Sequence, residues 1–471
     1  MHAIRLAGAA IAALAFSLAA SQPTLAKPLD AAAAETQALD MTKHLIAIRS
    51  VAGPQNRTAE AQQVVKDALL AAGWKDSEVE IVPVRDTAYL ISTWPGSDPK
   101  LKPLVISGHT DVVEAKPADW KRDPFTPVVE NGYLFGRGAS DMKYDAALAT
   151  STLIAMRKAG YKPRRTIVLQ FSGDEETTMY TGRLIAERLK NADLVINIDG
   201  GGGTFEEASG KPLYWTWQGA EKTYDDYELA VTNPGGHSSA PRPVNAIVQL
   251  AQAVERIGAY HFPAEISPLT KAYFEKAAQF ETDPALSAAM KAFAANPQDA
   301  AALATLRANP AYVGKVGTTC VPTMISGGHA QNALPQRATA NINCRVFPGH
   351  TREEIRQQLE KIADMQGLKV TAISGEDSIS SPASPMRPDF LAAVDKALNK
   401  AWPGTPIFPS QASGASDSMW YRALGVPSYG ASPVFSKDSD DFSHGLNERI
   451  SLRNTKPAVA FYTSLFTDLS K

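Results

Sequence analysis

His109 and Asp111 in VISGHTD, Asp174, Glu175 and Glu176 in LQFSGDEE, and Asp199 in VINID all stand directly after a short apolar run. Runs of that kind read as strands, and in an open α/β sheet ligands bind in the crevice outside the carboxyl ends of the strands. The placement predicts that these side chains, remote in sequence, meet in space. Carboxylates and imidazoles gathered without a matching cluster of Lys or Arg repel one another unless a cation lies among them, so a bound metal is the economical reading. His109 and Asp111 are two residues apart and point the same way in extended chain. Either the imidazole is a ligand whose tautomer the carboxylate fixes, or both are solvated at a strand-end turn. Asp141, in GRGASDMK, enters a helix, where it is either a ligand or an acid favoured by the helix macrodipole. Of the adjacent pair Glu175 and Glu176, one on a metal leaves the other as a general base beside a metal-bound water. His444, in DDFSHGLNERI, completes this set or is an ordinary solvated loop imidazole.

The elements that position these residues alternate between helix and continuous apolar strand from about Thr42 to Asp199. This predicts an α/β fold with a mainly parallel sheet covered by helices on both faces. Near residue 222 the pattern changes to β-α-β-β-α-β, a ferredoxin-like α+β unit. Residues 27–222 and 376–471 then form one domain, with 223–375 inserted as a second. An Ala-rich stretch, 267–309, reads as two or three short helices added to the inserted unit.

The chain has 471 residues, 44% hydrophobic and 20% charged, which suits a multi-domain globular protein and excludes a disordered or collagenous one. Lys and Arg number 47 against 49 Asp and Glu, so there is no surplus of positive charge for nucleic acid. Arg5, an apolar run from Leu6 to about Ala20, and Thr24-Leu25-Ala26 read as a signal peptide over residues 1–26, hence a periplasmic or secreted protein with no stable membrane span once it is cleaved. Cys320 and Cys344 lie in two strand-like segments of one hairpin whose midpoint is residue 332. A symmetric pairing sets them opposite each other, as a disulfide or as two buried thiols.

The motifs GHTDVV, GRGASDMK, SGDEE, NIDGGGG, GGHSSAPRPVNAI, GGHAQNALPQR and SHGLNERI, in this order, resemble those of the M20 family of dinuclear metallopeptidases, from about Thr42 to Thr467. That family includes glutamate carboxypeptidase, carnosinase-type dipeptidases, aminoacylases and succinyl-diaminopimelate desuccinylase. The resemblance implies two divalent ions, zinc first and cobalt or manganese as alternatives. His109, Asp141 and Asp199 would hold one ion and Asp141, Glu176 and His444 the other, with Asp141 bridging. Glu175 would activate a bridging hydroxide, and Asp111 would orient His109. The inserted domain would act as a lid and dimerisation unit, from which His237 reaches a partner subunit's site to stabilise the oxyanion. Asn332, Arg345 and Gly414 would bind substrate, Arg345 as a bidentate fork for a terminal carboxylate.

Two features depart from the family pattern. DEETTMYTG lacks the glycine that commonly follows the paired glutamates. The Ala-rich stretch resembles the carboxypeptidase S and N-acyl-amino-acid hydrolase branch, while Asp at position 199 is more typical of the family's peptidases. The expected function is therefore an exported hydrolase of dipeptides or short peptides with a free carboxylate end, acting as a homodimer. The alternatives are an N-acyl-amino-acid hydrolase and, from another class, a non-catalytic periplasmic binding protein.

Overall fold

The computed structural model describes residues 26–375 and 378–471; apart from Ala26, the segment read as a signal lies outside them. Strands Leu104–His109, Ile167–Ser172 and Leu194–Asn197 are buried at every position. They are parallel neighbours with Leu104–His109 in the middle, and Ser428–Gly430 continues the parallel set beside Leu194–Asn197. Successive residues serve opposite faces. Leu104, Ile106, Leu169 and Ile196 join a core with helices Ala31–Ile46, Thr58–Ala71, Lys143–Lys158, Pro388–Ala401 and Thr455–Leu469. Val105, Val168 and Val195 join another with helices Tyr180–Arg188 and Ser418–Ala423. Coverage of both faces is why these strands read as unbroken apolar runs. Antiparallel strands Val79–Val84 and Thr87–Trp94 lie at one side and Pro212–Glu221 and Gly202–Phe205 toward the other, and Ile407–Ala412 and Phe435–Ser436, parallel to these last two, bring the sheet to ten strands.

Strand Pro212–Glu221 leads into strand Thr223–Thr232 of a second sheet, with only Lys222 between them. The order there is Thr319–Gly327, Arg337–Val346, Thr223–Thr232, Leu368–Ala372, with helices Ala246–Ala259 and Arg352–Ala363 on one face. This is the anticipated ferredoxin-like unit. Its other face carries Tyr224, Asp226 and Arg345, which turn toward a cleft. Cys320 pairs directly with Cys344 in the ladder, their Cα atoms 4.0 Å apart, and the two are joined as a disulfide.

The Ala-rich stretch forms helices Pro268–Ala277, Pro284–Ala295, Ala300–Ala308 and Pro310–Val313, capped by Ser267, Asp283, Asp299 and Asn309. They do not extend the ferredoxin-like unit, as their place in the sequence suggested. Phe274, Met290, Phe293, Leu303 and Leu306 pack instead around Phe408, on strand Ile407–Ala412 of the large sheet. The physical reason is that this strand and its neighbour Pro212–Glu221 together present an aromatic surface, Phe408 with Tyr214, which the apolar faces of these helices cover. No helix among the described residues is long and apolar enough to cross a membrane.

Phe408 is 3% exposed, so Phe408→Ala leaves a cavity between sheet and helices. The expected loss is about 3–5 kcal/mol of stability, read by urea unfolding; an unchanged midpoint would show that the helices do not depend on this contact.

Candidate metal centre

The parallel strands bring their carboxyl ends to one place. His109 ends its strand in register with Ser172, and Asp199 follows Asn197 by two residues. The His109 Nε2 atom lies 3.2 Å from Asp141 Oδ1 and 3.7 Å from Asp199 Oδ1. Nε2 of His444 lies 3.2 Å from Asp141 Oδ2 and 2.8 Å from Glu176 Oε2. Asp141 thus presents one oxygen to each imidazole and stands between the two groups. Ligand atoms of His109, Asp141 and Glu176 fall within 4.8 Å of one another, as do those of His109, Glu175 and Asp199.

The support differs in detail from the sequence reading. Asp111 was expected to hold His109 through its carboxylate. Nδ1 of His109 instead lies 3.1 Å from the Asp111 backbone carbonyl and 3.5 Å from its carboxylate. That carboxylate accepts the backbone N–H groups of Glu175 at 3.2 Å and Glu176 at 3.0 Å. Asp111 therefore fixes the imidazole with its main chain and aims the glutamate pair with its side chain.

Glu448 has no counterpart among the residues singled out from sequence. It is fully buried, pairs with Arg137 at 2.6 Å, and accepts N–H groups from Gly138, Ser140 and Asp141. Arg137 also donates to the carbonyls of His444 and Gly445. One buried ion pair therefore holds both the loop of Asp141 and the loop of His444. Its sequence signal was position alone, four residues after His444 and inside the same motif. His444 adopts φ 60°, a left-handed conformation that costs of order 1–3 kcal/mol in a non-glycine residue and persists where its surroundings enforce it.

The electrostatics identify what the cluster lacks. Burial opposes charge on His109, but Asp199, Asp111 and Asp141 outweigh it and hold its proton affinity well above the ordinary value. Hydrogen bonds to Asp141 and Glu176 raise His444 to about 10. Burial raises Glu176 to about 7 against the pull of His444, and raises Glu175 well above the usual carboxylate range. Each of these shifts favours the more positively charged form of its group. Glu176 Oε1 is buried with no hydrogen-bond partner. An orphaned carboxylate oxygen and a mixed His and carboxylate set fit divalent cations: His109, Asp141 and Asp199 would hold one, and Asp141, Glu176 and His444 the other.

A cleft of about 530 Å³ runs from Glu175, Glu176 and His444 to Tyr224, Arg345 and Gly414. Arg345 lies 4.6 Å over the Tyr224 ring. His237 and Asn332 do not line this cleft. His237 sits on segment Gly236–His237, which pairs with Ala333–Leu334, and Asn332 directly precedes the latter; both side chains belong to exposed residues. Those segments lie beyond the Thr232 and Arg337 end of the small sheet, while Tyr224 pairs with Arg345 near the other end. The intervening strand spans about 25–30 Å.

The profile of peptidase family M20/M25/M40 matches residues 105–468. A relative in Dictyostelium discoideum, named "Probable carboxypeptidase S-like 2", is 26% identical over 398 residues, 81% of this chain and 74% of its own. The N-fatty-acyl-amino acid synthase/hydrolase PM20D1 of Xenopus tropicalis is 28% identical over 385 residues, 79% of this chain and 73% of its own. Among solved structures, the M20 family metallo-carboxypeptidase Sso-CP2 from Sulfolobus solfataricus is similar in fold with a TM-score of 0.67. Its identity is 19%, over 92% of this chain and 98% of that one.

Two predictions test the site. Glu448→Gln removes the charge that anchors Arg137 and the Asp141 loop, so zinc affinity should fall about 10- to 100-fold by competition with a chelating dye. Cation binding must also displace the protons on His444, at about 10, and Glu176, at about 7. Affinity should therefore rise about tenfold per pH unit for each proton released, more steeply below pH 7 than between 7 and 10. A flat calorimetric profile would contradict this account.

Proposed function

The chain belongs to peptidase family M20/M25/M40, and from that premise we propose an exported two-zinc enzyme acting on dipeptides, short peptides or N-acyl amino acids with a free terminal carboxylate. It is a hydrolase of the carboxypeptidase and dipeptidase type, acting on C–N bonds, which sets aside the non-catalytic binding protein. The observation that carries the substrate reading is the cleft joining Glu175, Glu176 and His444 to Arg345 and Gly414. The reacting carbonyl belongs at one end and a carboxylate at the other.

Bound there, the ions would polarise the scissile carbonyl and acidify the attacking water. Glu175 takes the proton from that water; its burial favours the protonated form, so the proton is held and then passed to the leaving amine. Arg345 receives the terminal carboxylate in a bidentate fork. Its planar group is held by Tyr224 and makes no ion pair among the described residues. Zinc suits the donor set, with cobalt or manganese as substitutes. An N-acyl-amino-acid hydrolase would use the same groups and differ only in what lies on the acyl side.

Homodimer formation is part of this reading. Strand Thr319–Gly327 is the outer strand of the small sheet and exposes Val321, Met324 and Ile325 at 57%, 72% and 64%. Ile247 and Val248 of the adjoining helix are exposed as well. An unpaired strand edge beside apolar side chains is a surface that a second copy covers, and His237 and Asn332 would then serve the partner's site. Export follows from the N-terminal signal pattern and agrees with the Cys320–Cys344 disulfide.

Glu175→Gln should keep its zinc by elemental analysis yet lose about 10²–10⁴ in kcat on a dipeptide; a variant of normal turnover would remove this mechanism. Arg345→Ala should raise KM for the same dipeptide, and the wild-type enzyme should reject its C-terminal amide.

A further inference from the structure

A second chamber, of about 380 Å³, adjoins the ligand carboxylates, and Arg345 is not among its walls. Asp141 and Asp199 line it, whereas Glu175, Glu176, His444 and Arg345 line only the first cleft. The side chains of Asp141 and Asp199 remain 21% and 19% exposed, against 1% for His109 and 6% for Glu176. The metal centre therefore opens on two sides, through His444, 54% exposed, to the first cleft and through Asp141 and Asp199 to this chamber. A substrate whose carboxylate end reaches Arg345 in the first cleft and whose carbonyl meets the ligands has this chamber open to its acyl half.

The walls are polar and thin. The run from Gly200 to Gly203 contributes main chain alone. Gly201 has φ +73°, and a Cβ there would come within 2.7 Å of the Gly430 and Thr216 carbonyl oxygens. Hydroxyl groups of Ser140, Thr216, Ser436 and Ser443 line much of the remainder. Asp145 is the one acid of the wall that the metal assignment does not use. Tyr462 donates to its Oδ1 at 2.9 Å and Ser432 at 3.2 Å, while Oδ2 accepts no hydrogen bond among the described residues.

We propose that this chamber holds the acyl half of the substrate and selects a small polar acyl group, an aminoacyl residue whose free ammonium meets Asp145, over a fatty acyl chain. The inference rests on the amide-hydrolase reading above and deepens it. Leaving water favours a methylene chain only where it meets apolar wall. Here it would strip water from hydroxyls and a carboxylate and return no hydrogen bond. An ammonium satisfies the same groups.

The test compares alanyl-leucine, N-acetyl-leucine and N-dodecanoyl-leucine, which share one leaving amine, on the zinc-loaded enzyme. The expected kcat/KM for the dipeptide is about tenfold or more above either acyl compound. N-dodecanoyl-leucine cleaved as well or better would overturn the proposal and leave the amide-hydrolase reading standing. Cleavage of none of the three would overturn both. Asp145→Asn should raise KM for alanyl-leucine about tenfold more than for N-acetyl-leucine; equal changes would exclude an ammonium contact. Because Asp145 is buried, Ser436→Leu gives a second reading. Its loss should grow from glycyl-leucine to phenylalanyl-leucine, and a uniform loss would place the acyl half elsewhere.

Discussion

Like charges held close in a partly dry site are the constraint on which this structure turns. Asp111, Asp141, Glu175, Glu176 and Asp199 converge where three parallel strands end, and each would relieve the repulsion by moving away. The surroundings prevent it. Main-chain N–H groups of Glu175 and Glu176 grip Asp111, and three more hold Glu448 beneath Asp141. Arg137 pins the loop of His444. Held in place, the carboxylates can lower their energy only by taking up positive charge, as protons or as cations. The raised proton affinities of both imidazoles and both glutamates express that demand.

The two sheets divide the work. The large one supplies the strand ends on which the candidate metal ligands and Glu175 are mounted. The small one is apolar on its helix side and polar toward the cleft, so that Arg345 and Tyr224 face Glu175, Glu176 and His444 across the gap. Lys222, the single residue joining strands of the two sheets, is itself buried. Its amine donates to the Gly317 carbonyl and the Thr319 hydroxyl, and burial lowers its proton affinity to about 7. The junction is thus a packed joint with few degrees of freedom on this side.

Much of this was legible in residue order. Apolar runs followed by His or acid located His109, Asp199 and the glutamate pair, and the β-α-β-β-α-β pattern located the small sheet. Residues that act through a neighbour were not legible. Glu448 looks like a loop acid until Arg137, more than three hundred positions earlier, is seen against it. Asp145 looks like an ordinary first-turn acid of its helix. The docking of the Ala-rich helices was also hidden, because an apolar helical face announces that it will be covered without saying by what. The outer aromatic surface of strand Ile407–Ala412 supplies that answer only once the sheet is assembled.

The N-terminal stretch touches the chemistry more closely than its distance in sequence suggests. Lys143, two residues after Asp141, donates its buried amine to the carbonyls of Leu45 and Ile48, at the end of helix Ala31–Ile46. Just upstream, the main-chain N–H groups of Ala26 and Lys27 both reach the Ala159 carbonyl, past the end of helix Lys143–Lys158. Loss of the chain through Asp30 would remove the side chain that caps helix Ala31–Ile46 at the Ala33 N–H, and with it a support of the helix whose far end holds Lys143.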